Sequence, residues 1–183
     1  MMELETGRLL LRPYTMDDLD FFASLWEDPE VVRYIGEGVT RTRAEAEDRL
    51  RRIMDGYASG YGLLAMWHTQ NRRLVGHAGL VRQEVDGKSE IELGYWLARD
   101  SWGHGLATEA AVALRDHAFN DISLHRIISL IQPANAASIA VAERVGMKLE
   151  REATFKGQAV CVYSMLPEAH RSNNSSHSGL SCN

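Results

Sequence analysis

The residues best placed to do chemistry with little help from distant sequence run from Tyr95 to Ala111, Tyr-Trp-Leu-Ala-Arg-Asp-Ser-Trp-Gly-His-Gly-Leu-Ala-Thr-Glu-Ala-Ala. Gly103 and Gly105 remove two β-carbons where the backbone must bend sharply and lie open to a ligand. A helix that starts just after them leaves its first-turn N–H groups without partners, and its dipole adds partial positive charge. Such a turn is an anion site, most naturally for phosphates. The competing reading is a tight strand-to-helix connection that binds nothing, and the glycines alone do not separate the two. A Walker A loop would end in Gly-Lys-Ser/Thr, and no lysine follows Gly105. A dinucleotide fingerprint would need a third glycine where Thr108 stands.

The elements around this bend follow from periodicity. Glu90 to Ala98 alternates as a strand, with Ile91, Leu93, Tyr95 and Leu97 on one face and Glu90, Glu92, Gly94 and Trp96 on the other. Ala107, Ala110, Ala111, Leu114 and Ala118 then form one apolar helical stripe. Upstream, Arg8 to Pro13 reads as a strand. Thr15-x-x-Asp18 opens a helix with Leu19, Phe22, Ala23 and Trp26 inward, and Asp28-Pro29 stops it. Thr42-x-x-Glu45 opens a second helix, on which Arg41, Arg43, Arg49, Arg51 and Arg52 read as a solvated face. Strands follow at Leu63 to His68, Leu74 to Val85 and 89–98, the last pair joined by the Asp86-Gly87 turn, so three consecutive antiparallel strands are expected. Arg126 to Gln132 is a short strand, and Pro133 to Ser138 opens a helix that Gly146 ends. Met147 to Ala153 and Ala159 to Leu166 are two last strands. The order predicts an α/β fold, a mixed and mostly antiparallel sheet flanked by helices, in a single domain over 1–168. Residues 169–183 are too poor in hydrophobes to order themselves and predict a disordered tail.

A net charge of −5 argues against a nucleic-acid surface, which would show basic clustering. Cys161 lies in an apolar run and Cys182 in a polar tail, so no disulfide is expected and a reducing cytoplasm is the default. Leu9-Leu-Leu11 is too short for a signal peptide, and no apolar run approaches the ~20 residues of a membrane span.

Glu92-Leu-Gly-Tyr-Trp-Leu97 followed by Trp102-Gly-His-Gly-Leu-Ala-Thr-Glu-Ala110 resembles the acyl-CoA loop of the GCN5-related N-acetyltransferases. The likeness is to the subgroup that holds the ribosomal-protein alanine and serine N-acetyltransferases. The opening Thr6-x-Arg8-Leu-x-Leu-Arg12, Asp28-Pro-Glu-Val31 with Tyr34, and Asn135-x-x-Ser138 with Glu143-x-Val-Gly146-Met147 are similar to the same subgroup, and the resemblance covers Glu5 to Leu166. Asp100 stands where the wider family has Gln or Arg, which suits a phosphate site only if its side chain points away.

The resemblance implies an acetyl-CoA-dependent N-acetyltransferase that uses no metal and acts by direct attack of a primary amine. A protein N-terminal α-amine is the leading acceptor, with a small-molecule amine (an antibiotic or polyamine) or a non-catalytic acyl-CoA-binding module as alternatives. It also implies a homodimer. The backbone of Trp102, Gly103, His104, Gly105, Leu106, Ala107 and Thr108 would hold the CoA phosphates, and His104 would add charge there when protonated. Amides of Trp96, Leu97 or Ala98 would bind the pantetheine arm and the thioester oxygen. Asn135 would bind the pantetheine amides and Ser138 the departing thiolate, although both residue types also cap helices. Relatives outside the subgroup carry a tyrosine acid where Ala142 stands, and Tyr163 is a substitute. Glu92 is the expected general base and Glu90 its reserve. The acceptor is expected between the two early helices and the 156–159 loop.

Overall fold

The computed structural model describes residues 3–167; the predicted tail and Cys182 lie outside them. Strands β1 (Leu4–Glu5), β2 (Leu9–Arg12), β3 (Gly62–His68), β4 (Arg73–Val85), β5 (Lys88–Leu97), β6 (Ile127–Ile131), β7 (Lys148–Phe155) and β8 (Gln158–Met165) form one sheet. Their order is β1-β2-β3-β4-β5-β6-β8-β7. Helices α1 (Leu19–Glu27), a single turn α2 (Pro29–Val32) and α3 (Arg43–Gly56) precede β3, α4 (Leu106–Asp116) follows β5, and α5 (Ala136–Val145) follows β6.

Alternation decides the layers. On one face, Leu9, Leu11, Leu64, Met66, Leu93 and Leu97 meet α4 and α5 through Ala110, Ala111, Leu114, Val141 and Val145. On the other, Ala65 and Leu74 meet Phe22, Trp26, Ala46 and Leu50 of α1 and α3, with Trp96 packed against them. Both helix-start signals are realised: Thr15 N donates to Asp18 at 2.9 Å and Thr42 N to Glu45 at 2.8 Å. Pro29 ends α1 as expected, and as a first-turn residue it also begins α2, capped by Asp28, which accepts from Glu30 N at 2.9 Å.

Every neighbouring pair is antiparallel except β5 with β6, which run parallel and pair only at Glu92 with Ile128. Beyond that rung β5 continues to Leu97 and β6 to Ile131 without pairing, so the sheet parts at its centre. Ser129 Oγ donates to Leu93 O at 2.6 Å beside the rung, and Tyr95 O–H reaches across to Ser138 O on α5 at 3.0 Å.

Candidate active site

The predicted bend is built from left-handed glycines. Trp102 Nε1 donates to Leu97 O at 2.9 Å and folds the chain back after a short 3-10 turn at Arg99–Ser101. Gly103 and Gly105 have φ of +78° and +76°, a conformation that costs other residues roughly 1–2 kcal/mol. A β-carbon on Gly103 would meet open space, so no side chain closes the turn there. The first α4 bond runs from Glu109 N to Gly105 O at 3.0 Å, and the amides of Gly103, His104, Gly105, Leu106, Ala107 and Thr108 have no partner among the described residues. Together they form a nest of donors at the positive end of a helix.

Two ion pairs condition this nest. Asp100 points away from it: Arg73 Nη1 lies 2.6 Å from Asp100 and holds its carboxyl below the usual range. Glu109, in the first turn of α4, accepts from Thr6 Oγ1 at 2.6 Å, Arg8 N at 2.8 Å and Arg8 Nε at 2.7 Å. Burial alone would raise the Glu109 carboxyl, yet these donors hold it below its ordinary value. The same clasp sets Arg8 beside Gly105 and against His104, whose carbonyl accepts from Arg8 Nη1 at 3.0 Å. The His104 side chain is exposed. The partner of Thr6 and Arg8 lies a hundred residues away in sequence.

Glu92, Trp96, Asn135 and Ser138 line one cavity of about 810 Å³ between the parted strands, α1, α3 and the hairpin that joins β7 to β8. Leu97, Ala98 and the 102–108 turn do not line it. Glu92 sits at the rung where the strands part. Burial raises its carboxyl, opposed by Gln83 Nε2 at 2.7 Å, the Leu130 amide and the Lys156 charge; the net direction is upward. The Leu130 amide is free for this bond because β6 has left β5. Glu90, the reserve, does not line the cavity: Arg126 Nε holds it at 3.1 Å while Nη2 of the same arginine holds Glu150 at 2.7 Å.

Asn135 realises the capping reading, accepting from Ser138 N at 3.1 Å at the start of α5. Tyr163 is buried in the core and does not line the cavity. Tyr95, placed by alternation on the buried face, does line it, and burial keeps its phenol protonated.

The three expected backbone donors divide. Ala98 N donates to Val75 O at 2.9 Å, so its amide is not available to a ligand. Hydrogen-bonded pairs alternate in an antiparallel ladder, which commits Trp96 N to His77 as well. Leu97, between them, turns its amide toward the gap, and Tyr95 does the same one pair earlier.

The solvated reading holds for Arg43, Arg51 and the exposed Arg52 but is incomplete for Arg41 and Arg49, which are partly buried. Arg43 pairs outward with Asp20 at 2.6 Å and Arg51 with Glu47 at 2.6 Å, but Arg41, Arg49 and Arg52 line the cavity. Arg49 stacks over Trp26 at 4.5 Å, Trp26 meets Trp96 edge-on at 4.7 Å, and Trp96 lies 4.6 Å from His77. A helical wheel separates the two faces of α3 but cannot say that the cavity borders both.

Among the described residues no group of His, Cys, Asp and Glu is arranged to hold a metal ion, and no helix is long and apolar enough to cross a membrane.

Residues 8–148 match the family model described as the acetyltransferase (GNAT) domain. A Bacillus licheniformis protein named as an uncharacterized N-acetyltransferase, p20, is 31% identical over 82% of this chain and 84% of its own length. An acetyltransferase structure from Agrobacterium tumefaciens superposes with a TM-score of 0.77 at 30% identity, covering 90% of this chain and 94% of its own. Two structures at 19% identity share the fold. One is a ribosomal L7/L12 α-N-protein acetyltransferase in complex with coenzyme A (TM-score 0.76; 90% and 98% covered), the other a Vibrio cholerae spermidine N-acetyltransferase with CoA and spermine (TM-score 0.72; 88% and 96%).

Proposed function

This chain belongs to the GNAT family of acetyl-CoA-dependent N-acetyltransferases, and we propose that the amine it acetylates is a protein N-terminal α-amine, attacked directly on the thioester. The observation that carries the reading is the parting of β5 from β6 at Glu92, which supports a slot for the acyl arm with a carboxylate at its apex. The acceptor identity is further supported by the motifs shared with ribosomal-protein acetyltransferases and by a cavity of about 810 Å³, ample for several residues of an extended chain.

The open nest from Gly103 to Thr108 would hold the CoA diphosphate, with the Arg8 guanidinium beside it; the Trp102 amide, expected to join it, is spent on Arg99 O at 3.2 Å. The Leu97 amide would donate to the thioester oxygen as it gains negative charge, a contact typically worth ~10²–10³ in rate. The amine lone pair forms the new C–N bond. Glu92, directly or through a water, takes the proton that the amine loses, and the C–S bond then breaks. Glu92 suits that task because its burial brings its pKa toward the working pH. Ser138 would donate to the departing thiolate, and Asn135, while capping α5, would face the pantetheine amides.

The test is CoA thiol release with acetyl-CoA and a panel of acceptors. Peptides with free N-termini are expected to be turned over and their N-acetylated counterparts not. Faster turnover of small amines than of any peptide would overturn the acceptor assignment, and no thiol release from any amine would overturn catalysis.

A further inference from the structure

The acceptor half of the cavity is built for an anion. We infer that the acceptor carries a carboxylate close to its reactive amine, held by Arg49 and Arg52 with Arg41 beside them, while the amine faces Glu92. This inference rests on the acetyl-transfer reading above and adds the substrate class.

Four observations lead to it. First, Arg41, Arg49 and Arg52 converge on one cavity, and among the described residues Arg49 and Arg52 have no carboxylate partner. Arg41 touches Glu37 and Glu45 only at 3.9 Å. Second, Arg49 is half-buried on the Trp26 ring, where water cannot fully solvate its charge. Burial and the two neighbouring arginines pull it below its ordinary value, a strain that a bound anion would relieve.

Third, among the described residues the buried side-chain polar atoms that lack any partner are Trp26 Nε1, Arg41 Nε and His77 Nε2, and all three residues line this cavity. Unmade buried hydrogen bonds are costly and rare, so the wall behind the arginines is polar and lacks acceptors, although these three atoms are themselves covered and do not open on the cavity. The indole and guanidinium nitrogens are donors only and require an acceptor oxygen. Fourth, the charge balance of the lining excludes a polycation: Arg41, Arg49, Arg52, Arg82 and Lys156 stand against Glu37 and Glu92. Glu37 is exposed at the rim, and Glu92 sits at the rung with Gln83.

A carboxylate near an amine has two sources, an acidic side chain close to a peptide N-terminus or a free amino acid. Matched acceptors separate them: C-terminally amidated Ser-Asp-Ala against Ser-Asn-Ala peptides, alanine against alaninamide, and spermidine as the cationic control. With the intact enzyme, the acid is expected to exceed its amide in kcat/KM by roughly 10- to 100-fold, in the peptide arm, the amino-acid arm or both. Arg49→Gln and Arg52→Gln should each erode that ratio, while Arg51→Gln, which faces Glu47, should leave it intact. Arg52 is exposed, so its replacement does not threaten folding. A ratio near one in both arms, a ratio indifferent to Arg49 and Arg52, or a preference for spermidine overturns the inference. A CoA thermal shift run alongside separates the two levels. If CoA stabilises the protein while the ratio is flat, only the acceptor class falls. If CoA gives no shift, the acetyl-transfer reading falls and takes this one with it.

Discussion

At the scale of single residues, Glu92 and His77 are both held off their usual titration, for different reasons. Glu92 is raised by burial, opposed by donors from Gln83 and Leu130. Glu92→Gln should lower kcat/KM at pH 7 by about 10²-fold, and raising the pH should restore part of it because more amine is then already deprotonated. A pH–rate profile identical to the native one would remove Glu92 from the mechanism. His77 is wholly buried beside Tyr14, Phe22 and Trp96, and burial lowers its pKa to about 3. The unfolded chain therefore binds a proton at this residue below about pH 6.5 that the native state refuses, so stability falls as pH drops through that window, by up to ~1.4 kcal/mol per unit. His77→Gln should flatten the dependence of Tm on pH between 4 and 7. An equally steep variant would place the acid sensitivity elsewhere.

At the scale of elements, the turn before α4 is held from outside. Glu109 fastens the first turn of α4 to Thr6 and Arg8, and Arg73 turns Asp100 aside. Glu109→Ala should cost about 1–2 kcal/mol, read as a lower Tm, and should raise KM for acetyl-CoA more than it changes kcat, because it frees the turn proposed to meet the phosphates. A lower Tm with unchanged KM would make the clasp purely structural. The strands, the helix starts and the bend were legible in sequence because each depends on neighbours: alternation in β5, the Thr-x-x-Glu box of α3, two glycines before an alanine-rich stripe. The clasp was not, since Thr6 and Glu109 meet only in the fold. The same holds for Tyr95 with Ser138. Of the arginines on α3, Arg43, Arg51 and Arg52 are exposed as expected, but Arg49 is half-buried on Trp26, because helical spacing identifies an exposed face without saying that a cavity borders it. Ala98 was offered as a donor on resemblance alone, and only the register with Val75 shows that its amide is spent.

At the scale of the whole molecule, the sheet is two half-sheets, β1 to β5 and β6 to β8, sharing one parallel rung and otherwise bridged by α4, α5 and side chains such as Tyr95 and Arg126. CoA at a hundred times its dissociation constant should stabilise the fold by about 2.7 kcal/mol, a rise in Tm of a few degrees. Amide exchange should slow most at Tyr95, Leu97 and the 103–108 turn; uniform slowing would mean that the arm lies elsewhere. The lone rung also ties supply to durability. An acyl arm bound along the gap, as proposed, would stitch the halves together and make the fed enzyme the tougher one. Without it the unstitched form would open more often and meet proteases more often, so limited proteolysis should be slower with CoA present than without it.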